Sequence, residues 1–190
     1  MRKLVSAITL ALALGAGLVV AGPAHAAVTP APAPQRVEIT IPMHVVGFDA
    51  AVARAHGYVI RTDAHGREYS VKAGASPDVT PDNLVWGLCG FSYLYYNALG
   101  NSKVEVNTGF AVAGLAVIYW WKYWMQDLGG TSSHIHSGGL DFQSSWDTTD
   151  TWPGMTPGPS TAWVDTGSDA ILSSGAVCSS GGPSDTTTIY

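Results

Sequence analysis

His134-Ile135-His136 is the pair best spaced for chemistry in this chain. On a strand, residues two apart point to one face with Cα atoms roughly 6.5–7 Å apart, so two imidazoles can share one metal ion. Asp141 is near enough in sequence to add a carboxylate, and His44, His56 or His65 could arrive from elsewhere. Three protein ligands with one open position is the pattern of a catalytic zinc centre. His134, His136 and Asp141 therefore define one reading, a metal-dependent hydrolase. Their setting argues against it. Ser132-Ser133 before the pair and Ser137-Gly138-Gly139 after it read as a loop, where both histidines would be solvated polar residues.

A second constellation is aromatic. Trp120, Lys122 and Trp124 alternate, so a strand would place them on one face as two indoles flanking an ammonium. Such a platform suits stacking on sugar rings or anchoring a protein partner. The competing expectation is that the N-terminal part of the chain covers this face and makes it a second core layer.

Other chemistries find less support. Gly90-Phe91-Ser92-Tyr93-Leu94 lacks the final glycine of a nucleophile elbow. There is no HExxH, P-loop or dinucleotide fingerprint, so no cofactor is expected. The chain carries 14 acidic against 9 basic residues and no Lys/Arg cluster, which disfavours phosphate backbones and hence nucleic acid.

The elements that must position these residues centre on Leu84–Leu128, the longest proline-free apolar and aromatic stretch of the exported part. It reads as a hairpin turning at Gly100-Asn101. From Ala111 the odd positions Ala113, Leu115, Val117, Tyr119, Trp121, Tyr123 and Met125 form an apolar row, which predicts a strand with that row in the core. Lys122 ends the apolar run begun at Phe110, well short of the roughly 20 residues of a membrane-spanning helix.

Arg2 and Lys3, the apolar run to Ala21, and Ala24-His25-Ala26 have the form of a secretory leader cut before Ala27. No stop-transfer pattern follows, so the expectation is secretion, either extracellular or wall-associated, with no transmembrane helix in the mature chain. In an oxidising compartment the two cysteines, Cys89 and Cys178, are expected to form a bridge. By loop-closure entropy such a bridge stabilises by up to ~4–5 kcal/mol.

The layout that follows is a signal peptide over 1–26, a Pro/Ala tether over 27–35, a strand–helix–hairpin appendage over 36–74, a linker over 75–83, and a β-domain over 84–190. In the appendage, Val37, Ile39 and Ile41 alternate as a strand ended by Pro42. Asp49 caps a short helix closed by Gly57, and residues 63–66 turn a hairpin. After Leu128 short apolar alternations lie between Gly, Pro and Ser turns, as in a β-sandwich or barrel. The fold class is thus mainly β, an antiparallel β-sandwich-like domain with a small N-terminal α+β appendage.

Cys89-Gly90-Phe91-Ser92, the aromatic strands after it, and Cys178 followed by Gly182-Pro183-Ser184-Asp185 resemble a group of uncharacterised secreted actinobacterial proteins. The resemblance covers the second half and the leader, and implies a disulfide-linked β-domain without a known activity. Together these readings favour a non-catalytic extracellular or cell-envelope binding or structural module, with a glycan or a cell-envelope protein as partner.

Overall fold

The computed structural model describes residues 39–76 and 87–190. The leader, the tether, most of the linker and Trp86 lie outside the described residues.

The molecule is built on one hairpin. β4 (Leu88–Gly100) and β5 (Lys103–Asp127) pair from Gly90↔Val112 to Gly100↔Lys103. Asn101 and Ser102 make the turn with φ of 53° and 55°. Positive φ at both central residues matches the turn twist to that of the strands. β5 is 25 residues long and continues past β4 into a second hairpin with β6 (Gly130–Trp152). Asp127 holds that second turn: its carboxylate accepts from Gly129 N (2.7 Å), Gly130 N (3.0 Å) and Thr156 N (2.7 Å).

β5 does not keep one pleat throughout. Val104, Val106, Thr108, Phe110, Val112 and Ala116 are buried, and then Trp121, Tyr123 and Met125. The buried parity changes from even to odd. The pairing with β6 slips between Ala111 and Ala116 and again between Ala116 and Ile118, and an extra residue in a strand moves every later side chain to the other face. The odd row expected from Ala111 is therefore core only from Trp121 onward, while Leu115 is 51% exposed.

The remaining strands close the sheet. β1 (Thr40–Phe48) pairs with β4 through its first half and with β9 (Ala176–Ser179) through its second. β9 pairs with β8 (Asp169–Leu172), and β8 returns to β5 at Ala116–Trp120, giving an antiparallel, barrel-like closed sheet. β7 (Gly158–Val164) pairs with β5 at Tyr123–Gln126 and with β10 (Ser184–Ile189). Side chains of β10 then reach the backbone of β4, where Asp185 accepts from Tyr96 N (2.9 Å) and Thr187 from Ala98 N (3.3 Å). The expected mainly β, antiparallel class holds.

Cys89 and Cys178 are joined, with Cα atoms 6.0 Å apart and neither residue exposed. The bridge links β4 to β9, stapling the central hairpin to the C-terminal strands as the two cysteines suggested.

Two expectations for the N-terminal part change. Pro42 does not end the first strand. It lies within β1, paired with β4 on one side and ahead of His44, where the pairing with β9 begins, a position that tolerates a missing N–H. The first strand is also a strand of the closed sheet and no part of an appendage. What stands apart is α1 (Ala50–Ala55), capped by Asp49 Oδ1 from Ala51 N and Val52 N, and the hairpin of β2 (Tyr58–Thr62) and β3 (Glu68–Lys72). This piece docks near the β8–β9 turn, through Ser70 Oγ to Ser174 O (2.6 Å) and Asp49 N to Gly175 O (2.7 Å).

Two faces of one hairpin as the candidate functional site

The β5–β6 hairpin carries both sequence candidates on opposite faces. Its outer face holds Ile118, Trp120, Lys122 and Trp124. Directly opposite residues in antiparallel strands share a face, which adds Ile135 of β6 across from Lys122 and Trp163 of β7 across from Trp124. Ile118, Trp120 and Ile135 remain 44%, 37% and 49% exposed. The appendage docks elsewhere, so the expected covering of this face is not seen among the described residues.

Within that face Trp124 is the fixed point. Its Nε1 donates to Asp165 Oδ2 (3.0 Å), its ring lies near-parallel to Trp163 (6.3 Å, 13°), and Lys122 Nζ sits 3.9 Å from the ring centroid. The indole N–H, then the Gly167 amide, hold the Asp165 carboxyl below its usual range, against partial burial and with help from the Lys122 charge. Trp163 is a member of the platform that alternation alone did not single out. It becomes visible only once the β5–β7 register is known.

The inner face is formed because the hairpin folds over itself. β6 kinks at Asp141 and Phe142, which have φ of 40° and 63°. Its last stretch pairs with the beginning of β5 and its first stretch with the end of β5. The two arms meet through side chains: Trp121 Nε1 donates to Thr108 Oγ1 (3.1 Å), and Trp146 packs on Phe110, Tyr119 and Trp121.

His134 and His136 sit at the mouth of this fold. They are strand residues, half-buried, with ring centroids 4.5 Å apart. The loop expected around them is absent, because Gly130–Gly139 is paired residue by residue with β5. The carboxylate that meets them is Asp150: His136 Nε2 lies 2.8 Å from Asp150 Oδ2, and one ligand atom from each of His134, His136 and Asp150 falls within 4.8 Å of the others. Asp141 is not part of this group. It is exposed at the kink, and the kink is what turns the chain so that a more distant aspartate comes back.

Around the three, Tyr123 OH donates to Asp150 Oδ2 (2.6 Å) and accepts from Trp152 Nε1 (2.9 Å). Burial first, and the Asp150 hydrogen bond next, push the Tyr123 phenol up, so it remains a proton donor. His134 packs edge-on against Trp152 (5.1 Å), and His136 lies tilted against Trp146 (5.4 Å). Asp150, Tyr123 and Trp152 carried no local signal. Only the folding of the hairpin brings them to the histidines.

The chain matches no protein-family model, no curated protein and no solved structure.

Proposed function

We propose that this chain is an exported, non-catalytic binding module, and that the outer face of β5 is its contact surface for a glycan of the cell envelope. The observation that carries the reading is Trp120, left 37% exposed on a regular strand face beside the exposed Ile118 and Ile135. Next to it Trp124 is oriented by Asp165 and carries a cation. A flat aromatic and aliphatic row with a lysine at its centre offers sugar rings a stacking surface and a donor. Export is supported by the leader-like N-terminus and the two bridged cysteines. No helix among the described residues is long and apolar enough to cross a membrane. The resemblance to secreted actinobacterial proteins points the same way.

Retention on immobilised cell-wall polysaccharide tests the reading. Trp120→Ala and Trp124→Ala are each expected to weaken retention. Unchanged retention in both would end it. The metal-dependent hydrolase is the second reading, favoured by the convergence of His134 and His136 with a carboxylate, now Asp150.

A further inference from the structure

We propose that His134, His136 and Asp150 form a site for one divalent transition-metal ion of the zinc class, which clasps the two arms of the folded β5–β6 hairpin.

Two imidazoles and one carboxylate make a nitrogen-rich, borderline donor set, suited to zinc, copper(II) or nickel(II). Calcium and magnesium ask for six or more oxygens. The spacing is close to what such an ion needs. With metal–ligand bonds of ~2.0–2.1 Å in a tetrahedron, neighbouring donor atoms sit roughly 3.3 Å apart. The three donors are within 4.8 Å of one another, and the His136–Asp150 pair is already at 2.8 Å. Entry of an ion requires that pair to open by about half an ångström and the others to draw in, side-chain adjustments within the reach of half-buried groups.

What separates the site from a chance surface pair is its support. All three donors stand on paired strands. Each has a second contact that limits its orientation: His134 on Trp152, His136 on Trp146, and Asp150 through the Tyr123 hydroxyl, itself held by Trp152. A ligating carboxylate with its own hydrogen-bond donor, and imidazoles held by packing, are the outer contacts that metal sites use.

The placement assigns the role. His134 and His136 lie opposite Tyr123 and Trp121 on the late arm of β5, and Asp150 lies opposite Val106 on its early arm. An ion bound to all three would tie residues 130–139 to residues 145–152 across the fold. The binding reading does not depend on this ion. The hydrolase reading does, and would fall with it.

Zinc titration of the full, untagged chain after chelator treatment tests the inference, with stoichiometry read by a chromophoric competitor. Arm coupling is read by hydrogen exchange. The expected result is one zinc per chain and slowed exchange in both arms together. His134→Ala, His136→Ala and Asp150→Ala should each weaken binding on the order of 100-fold or more, since losing a ligand costs more than losing an outer contact. Trp120→Ala, on the opposite face of the hairpin, should leave it unchanged. Tyr123→Phe keeps all three ligands and should bind zinc roughly 10-fold more weakly. Absence of saturable binding overturns the proposal. So does binding that survives Asp150→Ala, or protection confined to the His134–His136 arm. If the ligand variants do not fold, exchange in the unmodified chain decides the matter on the same criterion.

Discussion

Thr108 shows how single residues hold the inner face together. It is buried, accepts from Trp121 Nε1 (3.1 Å) and donates to Tyr93 O (2.8 Å). Valine has the same shape without the hydroxyl, so Thr108→Val would bury an indole N–H with no acceptor. A buried donor left unmatched costs about 1–3 kcal/mol, and urea unfolding should show a loss of that size. Asp165 is the corresponding residue outside. Its carboxyl is held below the usual value, so it contributes stability above its unfolded pKa, and that contribution is lost as pH falls through the depressed folded pKa. The Trp124 N–H is the largest cause. Trp124→Phe should raise the Asp165 pKa in a carboxyl NMR titration and remove part of the acid-side loss of stability. Neither pair could be read from the sequence. Thr108 and Trp121 are two unremarkable strand residues until the hairpin folds.

At the scale of elements, β4 and the first hairpin were legible because a turn signal at Gly100-Asn101 interrupts a long apolar and aromatic run. β6 was not. Gly, Thr and Ser surround His134–His136 in Gly130–Ser137 and look like a loop, yet β5 supplies enough pairing and aromatic surface to hold the segment as a strand. Period-two reasoning found the Trp121–Met125 core and failed upstream of it, because slips around Ala116 reverse the pleat, and Gly114, the one bulge signal in Ala111–Val117, does not fix where the parity changes. The helix capped by Asp49 and the β2–β3 hairpin carried strong local signals. The place of β1 in the closed sheet is a long-range fact and did not. Close approach of strands also explains Gly109, where an added Cβ would meet the Trp146 carbonyl, Asp147 Cα (2.8 Å) and Tyr93 OH (2.9 Å). Gly109→Ala is expected to force β4 or β6 aside at a cost of about 1–3 kcal/mol, measured as a lower thermal midpoint with the fold retained.

For the whole molecule, the fold class and the Cys89–Cys178 pairing followed from strand patterning and from having two cysteines. Ring closure did not, because it depends on β8 finding the middle of a bent β5. The bridge spans a sequence separation of 89 residues. The chain-entropy model assigns a loop of that length about 4–5 kcal/mol. Cys89→Ala with Cys178→Ala should lower the urea midpoint by a corresponding amount without changing the strand signal in circular dichroism.

That bridge is also sealed from solvent, since neither cysteine has any exposed surface. An external thiolate can cleave a disulfide only by reaching one of its sulfurs, so in native buffer each cleavage must wait for the seam beside β1 to part. Trapped thiols would then act as a clock for breathing of the barrel. At high reductant the rate should level off, and the plateau would report how often β1 parts from β4 or β9.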